Sequence, residues 1–292
     1  MRHIYHESAF DTTAPVGSLW EDAAGDPVEC TDLAGEEDVG CEVAIIGAGV
    51  TGLSAAYHMA RDSGIDVRVL EAGDVGWGGS GRNGGFVGRG GTMVARRFGL
   101  AEAIRFADWQ KSTVELVADI LQSEGTDAEK TGQTEIGFAH RPNRAEGMRR
   151  YVEHSNKTFG TDYSYMDRDQ CREHGLAGPQ VHGGYVIPDC FGIHPMKYVR
   201  GLAHAAQKNG VVIHEHAPVG DWRRDGDMHL LSTPKGVVRA KSVIIATNGY
   251  GGRHTQRTGR ADVTGALQHS GDAPLEPGRN QGARLEHDGS LF

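Results

Sequence analysis

The sequence lacks any apolar run that reaches the roughly 20 residues needed for a membrane-spanning helix. Its start, M-R-H-I-Y-H-E-S, also lacks the apolar core of a secretory signal peptide. Basic residues are in the minority, with 30 Lys and Arg against 39 Asp and Glu, and they form no block, which argues against a nucleic-acid partner. These absences predict a cytoplasmic protein with no membrane span.

Cysteine is scarce as well. The four cysteines, Cys30, Cys41, Cys171 and Cys190, form no C-x-x-C motif and no metal-ligand spacing with histidine. The fifteen histidines are scattered and include no H-x-x-x-H pair that one helical face could present to a metal. We therefore predict reduced thiols and no metal site.

What the chain does contain is a complete nucleotide-binding pattern near its start. An apolar run at residues 43–46 predicts a buried parallel strand, and the turn G-A-G-V-T-G follows at residues 47–52. A helical pattern covers residues 50–61, and a second apolar strand at residues 67–70 ends in Glu71. Strand, glycine turn, helix, strand and acid in this order are the fingerprint of dinucleotide binding.

Each glycine of this fingerprint, and its acid, has a physical role. Gly47 is expected to make the tight turn, Gly49 to let the backbone approach a pyrophosphate, and Gly52 to let the helix pack closely on the strand. The free N–H groups at the helix start would then face the phosphates. Glu71 can accept hydrogen bonds from ribose hydroxyls and would repel a 2′-phosphate, which disfavours NADP. The alternative is that the glycines serve only packing.

A second glycine-rich stretch covers residues 72–91 and reads A-G-D-V-G-W-G-G-S-G-R-N-G-G-F-V-G-R-G-G. So much glycine is unsuited to the interior of a helix or strand, because of its entropic cost on folding. A flexible linker is one interpretation, although linkers rarely contain Trp77, Arg82, Asn83 and Phe86. A loop in this place can surround a cofactor's phosphates with backbone N–H groups, and Arg82 could add a positive charge.

The remaining pattern divides the chain into five predicted segments. They are an irregular arm laid over the surface or partly disordered (1–40), a first nucleotide-binding part (41–93), a substrate-domain insertion with helices (94–190), a second nucleotide-binding part (191–250) and a disordered or aberrant tail (251–292). Predicted helices lie at 94–124, 143–158, 167–174 and about 195–209. Predicted strands lie at 134–139, 184–187, 211–214 and 242–246, with a meander at 218–222, 228–232 and 237–240.

Three motifs together resemble the D-amino-acid-oxidase-like family of FAD-dependent oxidoreductases. They are I-I-G-A-G-V-T-G-L-S-A-A with its acid at Glu71, then G-W-G-G-S-G-R-N-G-G-F, and finally H-P-x-K-Y followed by I-I-A-T-N-G-Y. The likeness extends over residues 42–250. It implies an α/β fold in which a Rossmann-type FAD-binding domain carries an inserted α+β substrate domain.

The resemblance also implies which residues hold the FAD cofactor. The pyrophosphate would be bound by the first glycine turn, the adenosine ribose by the acid after the second strand, the flavin side by the second glycine loop, and adenine by a backbone contact. The implied residues are Gly47, Gly49, Val50, Thr51 and Gly52 for the pyrophosphate, Glu71 and Ala72 for the ribose, Ser80, Gly81, Arg82, Asn83, Gly84 and Gly85 for the flavin side, and Val219 for adenine. Ala246, Thr247 and Gly249 would form a further cofactor-facing turn.

The implied activity is oxidation of a C–N bond in a small amine or amino acid, such as a γ-glutamylputrescine-like compound. Hydride would pass to the flavin, and O2 would reoxidise it with release of H2O2. No catalytic residue is predicted. His194 is expected to be a helix cap or core residue, and Tyr163, Tyr165, Tyr185 and Tyr250 are expected to be core tyrosines that could also reach a substrate pocket.

The sequence departs from the family after Tyr250. The family continues there with further substrate-domain strands and a glycine-rich return to the flavin, whereas residues 251–292 show neither helical nor alternating periodicity. The C-terminal part of the fold is therefore expected to be missing, as in a truncated product. Two other interpretations stay open: an NAD-linked dehydrogenase, which Glu71 favours, and a non-catalytic nucleotide-binding fragment.

Overall fold

The computed structural model describes residues 10–15, 17–33, 39–89 and 98–250. In this part of the chain the helices are α1 (Leu19–Asp22), α2 (Val50–Ser63), α3 (Leu100–Ser123), α4 (Pro142–Phe159), α5 (Arg168–Glu173) and α6 (Pro195–Lys208). The strands are β1 (Val39–Ile46), β2 (Val67–Leu70), β3 (Phe86–Val87), β4 (Thr134–Phe138), β5 (Ser164–Met166), β6 (Gly184–Pro188), β7 (Phe191–Gly192), β8 (Val212–His214), β9 (Asp221–Asp225), β10 (Met228–Thr233) and β11 (Gly236–Ile245). The tail predicted at 251–292 lies outside the described residues.

The described residues form two compact units. Unit 1 contains the described parts of Met1–Gly85, Asp119–Lys130 and Ile193–Ser270. Unit 2 contains the described parts of Phe86–Ala118 and Thr131–Gly192. Each unit has a sheet of its own and is considered separately below.

Unit 1 is built on a six-stranded sheet in the order β8-β2-β1-β11-β10-β9. The first four strands are parallel to one another, and β10 and β9 are antiparallel additions at one edge. The central strands are short apolar runs, as expected for a parallel sheet covered on both faces. This arrangement confirms the predicted α/β fold with a Rossmann-type parallel sheet.

Helix α2 follows β1 through the predicted glycine turn and ends two residues beyond the predicted limit. Its buried side chains Leu53, Ala56, Tyr57 and Ala60 recur at the helical spacing that places them on one face. Gly64 ends the helix in a left-handed conformation, with φ of 63°, which glycine adopts at little cost. The buried face of α2 packs against β2 and α6.

Strand β11 corrects the prediction of two separate strands at 237–240 and 242–246. The structure has one continuous strand, Gly236–Ile245, which pairs antiparallel with β10 and parallel with β1. The exposed Lys241 lies between the two apolar runs. Its ammonium group lies 3.2 Å from the carboxylate of Glu42 on β1, so its charge is satisfied at the surface while the backbone continues the ladder.

The N-terminal arm is more deeply packed than the sequence predicted. Leu33 is fully buried in a core cluster with residues of β2 and β10, including Leu70 and Leu231. The backbone N–H of Thr31 donates to the carbonyl of Ile213 in β8 at 3.0 Å. This part of the arm therefore belongs to the core of unit 1 rather than lying over its surface.

Unit 2 contains a three-stranded antiparallel sheet in the order β4-β6-β5 and a separate two-stranded pair, β3 and β7. Helix α4 packs on β5 and β6, and α5 begins at a capping box formed by Asp167 and Gln170. The predicted positions of α4, α5, β4 and β6 agree with the structure within two residues. Strands β3, β5 and β7 were missed because two or three residues are too few to show a period.

None of the described helices is both long enough and apolar enough to cross a membrane.

Candidate cofactor site

The candidate site lies at the carboxyl ends of three neighbouring parallel strands of unit 1. Gly47 follows β1, Glu71 follows β2 and Ala246 follows β11. Ligands of open α/β sheets bind at this edge, because the loops that leave the strands converge there. The sheet order therefore brings together three positions that lie up to 199 residues apart in the sequence.

The first glycine turn is held in a shape that side chains would disturb. Gly47 has φ of 109°, and a Cβ atom there would lie 2.7 Å from the carbonyl oxygen of Ala246. A Cβ atom on Gly52 would collide with the carbonyl oxygen of Gly47 itself. The turn and the start of α2 can therefore approach each other this closely only with glycine at these positions.

The start of α2 presents backbone N–H groups at this edge. Gly49 is the N-cap residue and provides no side-chain cap. The hydroxyl of Ser80 instead accepts a hydrogen bond from the N–H of Val50 at 3.0 Å. Among the described residues no atom accepts from the N–H of Thr51 or Gly52. Two donors and the positive end of the helix dipole thus remain available to an anion.

Gly49 allows the serine to reach that position. A Cβ atom on Gly49 would lie 2.8 Å from the Ser80 hydroxyl oxygen, which is closer than two such atoms normally approach. The second glycine loop therefore contacts the helix start through the place left free by the missing side chain. The sequence did not reveal this contact, because the two residues are about 30 positions apart and belong to different motifs.

The carboxylate of Glu71 binds to both glycine segments. It accepts from the N–H of Ala48 at 2.6 Å and from the N–H of Gly73 at 3.0 Å. Burial raises the pKa of Glu71, and the hydrogen bonds from these backbone groups oppose that rise. The backbone N–H of Ala72 also lowers the pKa of Glu71, so about one of the roughly four acceptor positions of the carboxylate remains for another donor such as a ribose hydroxyl. The predicted ribose-binding acid thus also fixes the turn.

The second glycine loop is ordered, which excludes the linker interpretation for residues 72–89. Asn83 accounts for much of this order: its amide donates to the carbonyls of Gly79 and Ser80 at 3.3 and 2.9 Å and accepts from the N–H of Gly85 at 2.8 Å. Gly81 is buried against Met196 of α6. Both Asn83 and Gly81 therefore shape the loop, whereas Gly84 is exposed.

Arg82, a residue of this loop, lies against two aromatic side chains. Its guanidinium carbon is 4.7 Å from the ring centroid of Trp77, its Nε donates to the carbonyl of Gly78 at 3.2 Å, and its Nη2 donates to the hydroxyl of Tyr250 at 3.1 Å. Trp77 and Tyr250 also meet edge to face at 5.6 Å. Arg82 thus keeps a positive charge close to the loop, and Tyr250 joins the site rather than a distant core.

The other implied cofactor residues also belong to unit 1. Val219 is buried by its side chain, and among the described residues its backbone N–H and carbonyl have no hydrogen-bond partner. Ala246 donates its N–H to the carbonyl of Ile46 at 2.8 Å, and Thr247 accepts from the N–H of Tyr250 at 2.9 Å. The hydroxyl of Thr12 bonds the carbonyl of Ala72 at 3.3 Å.

His194 has the capping role that the sequence predicted. Its Nδ1 accepts from the N–H of Lys197 at 3.3 Å at the start of α6, and its ring is buried against Trp20 at 5.0 Å. Burial lowers the pKa of His194, so the ring is neutral near pH 7. Tyr163, Tyr165 and Tyr185 belong to unit 2, and no catalytic base emerges from the described residues of the candidate site.

Asp74, Glu215 and His216 bring metal-type ligand atoms within 4.8 Å of one another. The three are surface groups of unit 1 with partners of their own. His216 Nε2 lies 3.1 Å from Asp74, and Glu215 accepts from the N–H of Val75 at 2.5 Å. We assign no metal to this cluster.

The chain matches the family described as FAD dependent oxidoreductase over residues 42–290. It is 34% identical to a probable oxidoreductase, OrdL, of Rhizobium meliloti over 72% of this chain and 49% of that protein. It is 28% identical to the gamma-glutamylputrescine oxidoreductase of Escherichia coli over 73% of this chain and 50% of that protein. The chain thus spans about half the length of the curated relatives it matches.

Among solved structures, the glycine oxidase of Geobacillus kaustophilus resembles this chain with a TM-score of 0.63 and 23% identity, over 76% of this chain and 59% of that one. At this identity the likeness concerns the fold, and it agrees with the parallel sheet of unit 1. The family match also continues 40 residues beyond Tyr250, where the resemblance predicted from the sequence ended.

Proposed function

Because the chain belongs to the family of FAD-dependent oxidoreductases, we propose that it binds FAD at the carboxyl edge of the unit 1 sheet and oxidises the C–N bond of a small amine or amino acid. The observation that carries this proposal is the cradle formed by Gly49, the start of α2, Glu71 and Ser80. A missing Cβ, two available N–H donors and a carboxylate with spare acceptor capacity meet there.

The residues present fit an adenine dinucleotide. The N–H groups of Thr51 and Gly52 are suited to a pyrophosphate oxygen, and the Ser80 hydroxyl, which donates to no atom among the described residues, can donate to the same group. Glu71 suits the adenosine ribose, as the sequence predicted. The unpaired backbone groups of Val219 suit the edge of adenine.

When bound, FAD would supply the capacity to accept hydride from the carbon next to the substrate nitrogen. The role of the protein is to bind and orient the cofactor and the substrate and to exclude water. Arg82 belongs to the second glycine loop, and its positive charge would stabilise a negative charge on a group bound next to it. The neutral His194 is committed to capping α6 and is assigned no proton transfer.

The substrate class rests on the relatives. One relative is a gamma-glutamylputrescine oxidoreductase, and glycine oxidases resemble this chain in sequence at 24% identity and in fold. We therefore propose a primary or secondary amine as substrate, O2 as the terminal acceptor and H2O2 as the product. We also propose that unit 2 is the substrate-facing part, and that the protein works in the cytoplasm with its four thiols reduced.

The first experiment is a visible spectrum of the purified chain after incubation with FAD and gel filtration. A retained yellow flavin supports the proposal, whereas a colourless chain that binds NADH supports the dehydrogenase interpretation. A colourless chain that binds neither supports the non-catalytic interpretation and contradicts the proposal.

The second experiment tests the chemistry. A panel of amines from glycine to γ-glutamylputrescine is added without oxygen, and the loss of flavin absorbance is recorded. We expect bleaching by at least one amine, and peroxide release when oxygen is admitted. Bleaching by none of the panel, in a chain that holds flavin, would contradict amine oxidation while leaving FAD binding intact.

A further inference from the structure

Three tyrosines of unit 2 form an aromatic cluster that is half open to solvent. Tyr151 of α4 lies 5.5 Å from Tyr185 of β6 and 6.3 Å from Tyr163, measured between ring centroids. All three side chains are half-buried. Among the described residues no hydrogen-bond partner meets the hydroxyl of Tyr163 or Tyr185. The phenol groups of Tyr163 and Tyr185 therefore remain available to a ligand as far as the described residues show.

A carboxylate lies beside this cluster without a cation. Glu135 of β4 is the register partner of Ile187 of β6, two residues from the pair of Gly137 and Tyr185, so its side chain lies on the same face of the sheet as Tyr185. Burial raises the pKa of Tyr151 and of Tyr185, and the negative charge of Glu135 raises both further, which agrees with this placement. Glu135 is exposed and forms no ion pair with any residue in the described ranges. The nearby Arg89 is committed elsewhere, to Asp189 at 2.6 Å and Asp162 at 3.4 Å.

A neighbouring tyrosine on the same sheet already binds a cation of the chain on its ring face. Tyr165 of β5 is the register partner of Tyr185 of β6. The guanidinium carbon of Arg149 lies 4.6 Å from the ring centroid of Tyr165, within the range of a cation–π interaction. The chain thus supplies its own cation to Tyr165. Arg89 lies close enough to oppose the rise in the pKa of Tyr163, but it is paired with Asp189 and Asp162, and among the described residues no cation lies over a ring of the aromatic cluster.

We propose that Glu135 and the aromatic cluster of Tyr151, Tyr163 and Tyr185 bind the ammonium group of an alkylamine. The carboxylate would pair with the charge, and the ring faces would contact the ammonium and its first methylene groups. Burial raises the pKa of Tyr163 to about 12, so its phenol stays neutral at physiological pH and Glu135 supplies the negative charge of the proposed site. This inference rests on the proposed function, because it gives an amine oxidase a group that recognises amines.

The test is isothermal titration of the full chain with n-butylammonium, and with n-butyrate as the anion of matched length. We expect n-butylammonium to bind and n-butyrate not to bind. Glu135→Gln should weaken n-butylammonium binding about fivefold, since it removes the negative charge that pairs with the ammonium and leaves the rings in place. Glu153→Gln, which removes an exposed carboxylate of α4 two residues from Tyr151, should leave the binding unchanged.

Two further pairs of variants separate the ring from the carboxylate. Tyr163→Phe keeps a ring face and should retain binding, whereas Tyr163→Leu should weaken it about threefold. Gly88→Ala moves the charge without removing it, because a Cβ atom there would lie 2.7 Å from Glu135 Oε2. We expect it to weaken binding while circular dichroism shows an unchanged fold.

The inference is overturned if n-butylammonium does not bind, if n-butyrate binds equally well, or if Glu135→Gln and Tyr163→Leu both bind as the wild type does. Since the titration needs no FAD, a chain that fails to take up flavin can still pass this test. Conversely, a chain that holds flavin and is bleached by amines, but fails this titration, contradicts the ammonium site alone.

Discussion

The two glycine-rich segments of unit 1 keep their shapes by different means. In residues 47–52 the shape depends on close contact between backbone segments, since a side chain at Gly52 would meet the carbonyl of Gly47. In residues 76–85 the loop is tied by side chains, with Asn83 bonding three backbone groups and Ser80 bonding Val50. The first segment therefore tolerates no side chain at Gly47 or Gly52, where an added Cβ would meet backbone atoms, and the second segment depends on its polar residues.

The largest effect should come from a methyl group inside the first segment. We expect Gly52→Ala to lower the free energy of unfolding by about 3 kcal/mol, because the added Cβ meets a backbone carbonyl that cannot rotate away. Gly79→Ala is the matched control in the second segment. A Cβ there meets nothing within 4 Å, so the change should stay within about 0.5 kcal/mol. Urea unfolding measures both, and equal effects would contradict the comparison.

Removing the amide of Asn83 should have the next largest effect. Asn83→Ala deletes three hydrogen bonds to the loop and should cost about 1.5 kcal/mol, since the side chain is exposed and water replaces part of what is lost. Asn83→Asp keeps the oxygen that accepts from Gly85 and should fall between wild type and alanine. If both variants unfold like the wild type, the loop does not depend on its side chains.

Ser80 connects the two segments. Removing its hydroxyl should lower the free energy of unfolding less than removing the amide of Asn83 does, and the change should affect both segments. Ser80→Ala leaves the N–H of Val50 without its acceptor and should lower the free energy of unfolding by about 1 kcal/mol, the usual value of a helix cap. Hydrogen exchange at Val50 should become faster. Unchanged exchange at this amide would show that the serine hydroxyl does not cap α2.

The smallest expected effect is the contribution of Glu71 to the pH dependence of stability. Because burial raises the pKa of Glu71 in the folded state, the folded chain binds more protons than the unfolded chain in the window above the ordinary pKa of 4.5. The contribution of Glu71 to stability is therefore greatest below that window and declines as pH rises through it. Stability of Glu71→Gln, measured without cofactor, should decline less across this window. A steeper decline in the variant would contradict the buried carboxylate.

The nucleotide-binding half of the fold could be predicted because its signals are local. The strand, turn, helix and acid between residues 43 and 71 follow from periods and spacings that a short window contains. The three-residue strand β5 and the continuous β11 could not be predicted, since the first is too short to show a period and the second is set by pairing with β1. Contacts between distant motifs, such as Ser80 with Val50, leave no local signal.

The site residues divide in the same way. Gly49 and Glu71 were predicted from spacing, yet their contacts with Ser80, Ala48 and Gly73 became visible only in the structure. Tyr250 was expected in a core, and its bond to Arg82 depends on how the chain after β11 returns to the glycine loop. Assignment of all these residues to FAD remains a prediction.

The most direct test of the account is an FAD titration, followed by flavin fluorescence, of the wild type, Gly49→Val and Gly79→Ala. Gly49 is chosen because its added Cβ meets the end of the Ser80 side chain, so the fold can persist, as circular dichroism will check. We predict that the wild type and Gly79→Ala bind FAD equally and that Gly49→Val binds it about 100-fold more weakly. A folded Gly49→Val chain that binds FAD as tightly as the wild type would contradict the account.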